Sequence, residues 1–265
     1  MARLLSPAIS SSLSRPLPVL AAIPSCTSQL STSAPSPPIK DARFLTTTKA
    51  RIGRCMTFGL PSEYMGEATV ILRELAQDWR ELVAGSEGFL TSKRMSGLFR
   101  QKVVWGEMSA RINWAYNFAI HLDPGHRREW SDMWTPKGHG LILRSMRTDF
   151  KFPMAWPDHV TVLHKLRSMP DRSTDSFVLD VIILSERHQR PAARCEEDIV
   201  VYDYRQGRKA TLQPFMVNKF QEVFQWQEEA KQKNSKRVQG LLSRVRALEK
   251  ASWDRVDAKE DFGDQ

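Results

Sequence analysis

The sequence predicts an α+β protein, in which a curved antiparallel sheet of about five strands wraps around one central helix, with extra helices at both ends. Two observations predict this class. Short segments rich in β-branched residues recur between Pro, Gly and Asp turns, and their links are too short for parallel crossovers. One segment with helical spacing follows the first of them, and amphipathic helical segments flank the whole set.

The individual elements follow from periodicity. Residues 62–85 carry apolar residues at helical spacing, which predicts one helix capped by Ser62, and the polar residues 85–97 predict a connector. Residues 110–121 have helical spacing, so they are expected to form the central helix. The Trp-rich residues near 130 are expected in a loop or a short helix. The predicted strands are residues 98–105, 141–150, 160–166, 177–184 and 199–204.

The C-terminal stretch is predicted to be helical. Residues 215–226 have helical spacing, and an apolar stripe follows on a charged background. The stripe consists of Val238, Leu241, Leu242, Val245 and Leu248. Such a stripe is expected to dock on the protein's own core or on a partner helix. Binding to a membrane surface is less favoured, because the opposite face is not strongly cationic.

Residues 1–52 resemble a mitochondrial transit peptide. They are rich in Ser, Thr and Pro, and they hold six basic residues against a single acid. We therefore expect a mitochondrial matrix protein, with an ordinary disordered terminus as the alternative. The segment Arg43-Phe44-Leu45-Thr46-Thr47-Thr48 resembles a two-step processing site, which implies cleavage around residues 45–53.

Composition excludes or disfavours several classes. No run reaches the roughly 18 to 20 apolar residues that span a bilayer, so no membrane span is expected. The net charge is +9, but more than half of it lies in residues 1–52, so nucleic-acid binding is not favoured. Three cysteines without a CxxC pair fit neither a disulfide framework nor a zinc ribbon. No cofactor is indicated.

Two short motifs carry a family resemblance. Residues 105–116, Trp-Gly-Glu-Met-Ser-Ala-Arg-Ile-Asn-Trp-Ala-Tyr, resemble the strand-to-helix junction of hotdog thioesterases of the 4-hydroxybenzoyl-CoA thioesterase type. Residues 150–153, Phe-Lys-Phe-Pro, followed by Trp156-Pro157-Asp158, resemble that family's second hairpin. The resemblance covers a hotdog domain (98–216). Composition and helical spacing give the segments outside it: a leader (1–52), an N-terminal helical extension (53–97) and a C-terminal helical tail (217–265).

The resemblance implies a hotdog fold and hydrolysis of acyl-CoA thioesters by a homo-oligomer. Glu107 then corresponds to a catalytic acid, and Asn113 and Tyr116 match the family's last Asn and its Tyr. Ser109 would cap the helix, whose first amides would hold the oxyanion; a nucleophilic role for Ser109 is the alternative. Tyr116, Arg190 and Arg194 are candidate substrate contacts, the two arginines for the phosphates of coenzyme A.

The family's second aspartate and its histidine are absent from this junction. A second hypothesis is therefore a catalytically degenerate hotdog subunit with a structural role in a mitochondrial assembly such as the ribosome. No metal site is expected, because His121, Asp123 and His126 straddle a proline turn without metalloprotease spacing. Gly138-His139-Gly140 is expected to be a turn into a strand, since a dinucleotide loop needs a third glycine. No G-x-S-x-G elbow is present.

Overall fold

The computed structural model describes residues 43–91, 100–102 and 110–260. The helices in chain order are α1 (Phe44–Thr57), α2 (Ser62–Gln77), α3 (Trp79–Val83), α4 (Ala110–Asn117), α5 (Arg127–Asp132) and α6 (Pro214–Ala251). The strands are β1 (Arg100–Lys102), β2 (His139–Phe150), β3 (Val160–Leu166), β4 (Ser176–Ser185), β5 (Arg190–Asp203) and β6 (Arg208–Lys209). A π-helical turn, Phe118–Leu122, extends α4, and short 3-10 turns lie at Gly85–Glu87 and Pro124–His126.

The strands form one antiparallel sheet in the order β1-β3-β4-β5-β2, and the short β6 pairs with β5. The predicted antiparallel sheet with one helix on its inner face, the hotdog fold, is confirmed. The longest pairing joins β2 to β5, from His139 opposite Asp203 to Phe150 opposite Ala193. A bulge between Leu143 and Ser145 inserts one extra residue into β2.

The two faces of the sheet pack against different helices, because successive side chains of a strand point to opposite faces. On the inner face, Leu179 and Val181 of β4 lie in a core with α4 and the first part of α6. On the outer face, Ile182 and Leu184 of the same strand lie in a second core with α1, α2, α3 and the last part of α6. Helices of the same chain thus pack on both faces of the sheet.

The predicted single helix over residues 62–85 is two helices. The chain breaks at Asp78, whose φ and ψ are −112° and 23°, and α3 then turns Trp79 and Leu82 into the outer core. Ser62 is the first helical residue and makes no capping hydrogen bond, so the prediction that it caps the helix is wrong.

The segment that follows α3 is not an exposed polar connector. Ser86, Phe89 and Leu90 are buried, and the Ser86 hydroxyl donates to the Leu82 carbonyl at 2.7 Å. A Cβ on Gly85 would lie 2.6 Å from Nδ2 of Asn234, so any larger residue in this turn would have to displace the Asn234 side chain of α6. Residues 92–97 of the predicted connector lie outside the described residues.

Helix α1 begins within the predicted leader and extends five residues beyond it. Phe44, Leu45 and Ile52 are buried in the outer core. The Arg51 guanidinium donates two hydrogen bonds to the Glu249 carboxylate, at 2.6 and 3.0 Å, and thereby holds the pKa of Glu249 below its usual value. Cleavage within residues 45–53 would therefore remove part of a packed helix.

The C-terminal stretch is one continuous helix of 38 residues, about 57 Å long at 1.5 Å per residue. Its first part places Met216, Val217 and Phe220 in the inner core. Its last part buries the predicted stripe, including Val238 and Leu248, in the outer core. The stripe therefore docks on the protein's own core, which was one of the two predicted outcomes. Within the described ranges, no helix is both long and apolar enough to cross a membrane.

Between its two apolar parts, α6 is tied to the sheet through Gln227. Its carboxamide accepts a hydrogen bond from the Leu166 amide and donates one to the Leu166 carbonyl, both at 3.0 Å. The Arg167 amide donates to the Val178 carbonyl of β4. Backbone groups of successive strand residues point to opposite edges, so the amide and carbonyl of Leu166 point to the β1 side of β3. Leu166 lies beyond Leu163, the last residue of β3 that pairs with the described part of β1. The Gln227 side chain thus occupies the place of a neighbouring strand.

Candidate active site

The central helix α4 begins at Ala110 and rests on the inner face of the sheet. Trp114 and Phe118 are buried, with their rings 4.9 Å apart, and Trp114 also contacts Phe220 of α6 at 5.8 Å. These aromatic contacts fix the axis of the helix. The backbone N–H groups of its first turn have no partners within the helix, and they carry the positive end of its dipole.

Asn113 and Tyr116 are half-buried, while Trp114 and Ala115 between them are buried. Residues three apart share one side of a helix, so Asn113 and Tyr116 lie together on the side of α4 that turns away from the core. Glu107 and Ser109 lie outside the described residues. Ser109 directly precedes Ala110 in the chain, and Glu107 comes two residues before Ser109.

The two candidate arginines of β5 are not brought to α4. Arg194 pairs with Ile182 across the outer face, and its guanidinium donates to both carboxylate oxygens of Glu87 at 2.6 and 2.7 Å. This contact raises the pKa of Arg194 above its ordinary value. Arg190 stacks over the ring of Phe152 at 3.9 Å. Arg194 is therefore bound to Glu87 on the outer face of the sheet and does not belong to the same site as α4.

The inner face carries two buried ionisable side chains that the sequence analysis did not select. His164 of β3 is 2% exposed, and its ring centroid lies 6.3 Å from that of Trp114. Glu197 of β5 is 8% exposed and lies opposite Leu179 on one side and Met146 on the other. The signal for Glu197 was available in principle, because Cys195, Ile199 and Val201 share its phase and are apolar.

The inner face is open along β2. Met146 and Phe150 point to the inner side, opposite Glu197 and Ala193, and they are 56% and 80% exposed. Thr148 lies between them, half-buried, with its hydroxyl 3.5 Å from the Cys195 sulfur. An apolar strip therefore borders the buried core next to Glu197.

The central region is similar to a known protein superfamily. The family model of the thioesterase-like superfamily matches residues 103–220. These residues are similar to that superfamily, and we call them the thioesterase-like region. The matched residues contain α4, β2 to β6 and the first turns of α6, whereas α1 to α3 lie outside them.

Several solved thioesterases are similar to about half of the chain. One from Thermus thermophilus, complexed with coenzyme A and Zn, is 16% identical over 49% of this chain and 98% of that chain (TM-score 0.34). The DHNA-CoA thioesterase of Staphylococcus aureus is 13% identical over 49% and 91% (TM-score 0.33). The 12:0-ACP thioesterase of Umbellularia californica is 16% identical over 48% and 53% (TM-score 0.36). A search of curated proteins finds no match.

A separate polar cluster follows α4 in the thioesterase-like region. Asp123 is within 3.0 Å of His126 Nδ1 and accepts a hydrogen bond from the Trp130 indole at 3.1 Å. These contacts hold the turn that leads into α5. In the described part of the chain, no group of three or more His, Cys, Asp or Glu residues is arranged to hold a metal ion.

Proposed function

We propose that this chain hydrolyses acyl-CoA thioesters to a carboxylic acid and coenzyme A. The observation that carries the proposal is that α4 packs on the inner face of the sheet inside the stretch that matches the thioesterase-like superfamily. The free N–H groups of a helix N-terminus stabilise developing negative charge. A thioester carbonyl oxygen acquires that charge when a nucleophile adds to it.

The remaining chemistry requires a carboxylate and a site for the acyl chain. Glu107 precedes α4 closely enough in sequence to serve as the base that takes a proton from water, or as the attacking group. Asn113, in the first turn of α4, can orient the water or the substrate. The exposed inner strip of Met146 and Phe150 offers apolar surface to an acyl chain.

The first test is hydrolysis of a panel of acyl-CoAs by the full chain. Glu107→Gln should lower kcat by about a hundredfold or more, because it removes the general base while keeping the shape of the side chain. Glu63→Gln is the matched control, since Glu63 is an exposed acid at the start of α2.

Equal, background-level hydrolysis by wild type and Glu107→Gln on every acyl-CoA would contradict the proposed thioesterase activity. The structural subunit of a mitochondrial assembly would then be the surviving hypothesis. The exposed Trp156, at 92%, and Phe150 are the surface features that would suit such a partner.

We also propose that the chain forms a homodimer through β2. This strand pairs with β5 over its length, and no strand of the described residues pairs with its other side. An unpaired strand edge of 12 residues offers a row of backbone donors and acceptors to a second copy. The Lys151 amide donates to the Ala192 carbonyl of β5. Backbone amides alternate between the two edges of a strand, so the amide of Thr148, three residues earlier, points to the open edge.

Thr148→Pro should therefore convert the dimer to a monomer in light scattering at micromolar concentration. Proline removes the one N–H that points outwards at this position and leaves the bonds from β2 to β5 in place. Thr148→Val, which keeps the N–H and loses only the hydroxyl, should remain dimeric. A wild-type chain that is a clean monomer would contradict this assembly.

Residues 1–52 support a proposal of import into the mitochondrial matrix. We expect cleavage earlier than the sequence motif alone suggests, because Phe44 and Leu45 are buried. Sequencing the N-terminus of protein isolated from mitochondria should find a first residue no later than Phe44. An intact Met1 would contradict processing on import, and a start beyond Phe44 would contradict a structural role for α1.

A further inference from the structure

The connection between β2 and β3 carries an exposed apolar segment. Residues 153–157, Pro-Met-Ala-Trp-Pro, are all exposed, and none of them carries a charge. Trp156 is 92% exposed and Met154 is 44% exposed. Large apolar side chains that lie together on a surface mark a contact with another molecule more often than single ones do. We call residues 153–157 the apolar loop.

Both ends of the apolar loop are fixed to the turn between β4 and β5. Before the loop, the Phe152 ring packs edge-on against the His188 ring, with 5.2 Å between their centroids. After it, the Asp158 carboxylate accepts hydrogen bonds from the Ser185 hydroxyl at 2.5 Å and from the Arg187 amide at 3.1 Å. The five exposed residues between these contacts therefore project from a fixed base at the end of the sheet.

Three cations surround this base. The Arg190 guanidinium lies over the Phe152 ring at 3.9 Å, and Arg187 is exposed in the turn itself. Lys49 of α1 reaches the same turn, where its ammonium donates to the Gln189 side chain at 2.9 Å. Within the described part of the chain, none of these three cations forms an ion pair with an acid.

The acids at this end of the sheet do not cancel that charge. Asp149 is already paired with Lys151, and Glu186 is already paired with Arg80. Asp158 is the third acid of the connection and the turn, and its carboxylate is held by a hydroxyl and by backbone amides. This end of the sheet therefore combines an apolar tip with a cationic base.

This combination is complementary to an anionic phospholipid bilayer. Tryptophan is favoured at the level of the headgroups, because its ring is apolar and its N–H is polar. Lys and Arg next to the inserted residues are attracted to anionic lipids. A second copy on the same surface would bring like charges together. A stable protein interface takes roughly 20 to 30 residues a side, far more than the apolar loop offers.

We propose that the apolar loop docks this protein on an anionic phospholipid bilayer, with Trp156 inserted among the headgroups and the three cations beside the lipid phosphates. Five residues are far too few to cross the bilayer, so the contact is peripheral. The affinity then has an apolar part and a part that salt weakens. Docking does not depend on the proposed thioester hydrolysis, so either proposal can fail without the other.

The test is co-sedimentation of the full chain with vesicles of phosphatidylcholine alone and of phosphatidylcholine with cardiolipin at about 4:1. Wild type should bind the anionic vesicles about tenfold or more tightly than the neutral ones, because the cations are attracted only to a charged surface. Salt at about 0.5 M should remove most of that difference by screening. Equal affinity for the two kinds of vesicle would contradict the role of the cations.

Two substitutions assign the binding to this loop. Trp156→Ser should weaken binding to the anionic vesicles by about tenfold or more, because it removes the largest apolar side chain of the loop. Arg187→Ala should weaken it by about fivefold, the effect of one cation near a charged surface. Met65→Ser and Arg73→Ala, which change exposed residues of α2, are the matched controls and should bind as wild type does.

A conservative variant tests insertion directly. Trp156→Phe keeps an aromatic side chain in the loop and should still bind the anionic vesicles. When both proteins are bound, brominated phosphatidylcholine should quench the tryptophan fluorescence of wild type more strongly than that of Trp156→Phe, because bromine quenches only the rings that reach the lipid. Equal quenching of the two proteins would contradict the insertion of Trp156.

The outcomes that overturn docking are distinct. No binding of wild type to anionic vesicles would overturn it. Residues 1–52 hold six basic residues, so binding that Trp156→Ser leaves unchanged would arise elsewhere in the chain and would overturn it as well. If wild type binds no vesicles and Trp156→Ser lowers the molar mass in light scattering, the loop is a contact between copies instead.

Discussion

The pair of hydrogen bonds between Gln227 and the backbone of Leu166 is the constraint on which the rest of the fold depends. Helix α6 packs in the inner core through Phe220 and in the outer core through Val238, so it has to pass the edge of the sheet between these two residues. At that edge, the last residue of β3 lies beyond the residues of β3 that pair with the described part of β1. A glutamine satisfies the backbone groups there, where an apolar residue would leave a buried donor and acceptor unpaired.

The position of α6 organises both faces of the sheet. On the inner side, Phe220 contacts Trp114, Phe118 and Phe177, so it holds α4 against the sheet that carries Glu197. On the outer side, the turn that begins at Gly85 fits against the middle of α6, and Glu87 reaches Arg194 from that turn. The helices outside the thioesterase-like region thus form part of its supporting structure.

The sequence predicted the regular elements well where a local pattern sufficed. The predicted bounds of β3 agree with the observed ones, and α4 lies within the predicted central helix, because alternation and periodicity are local properties. The break at Asp78 and the continuity of α6 were missed, because tertiary packing decides where a helix turns and whether two helical stretches join. Glu197 was missed because the predicted strand began at residue 199. Residue 197 was therefore not assigned to either face of the sheet. Arg194 was selected for its charge, whereas its partner Glu87 is 107 residues away in the chain.

The central claim is that one side chain of α6 joins the two cores into a single folding unit, and equilibrium denaturant unfolding of Gln227→Leu tests it most directly. Loss of both hydrogen bonds leaves a buried N–H and C=O without partners, which should lower the free energy of unfolding by about 2 to 4 kcal/mol. Gln225→Leu, on the exposed side of the same helix turn, should change it by less than about 0.5 kcal/mol. Equal stability of the two variants would contradict the account.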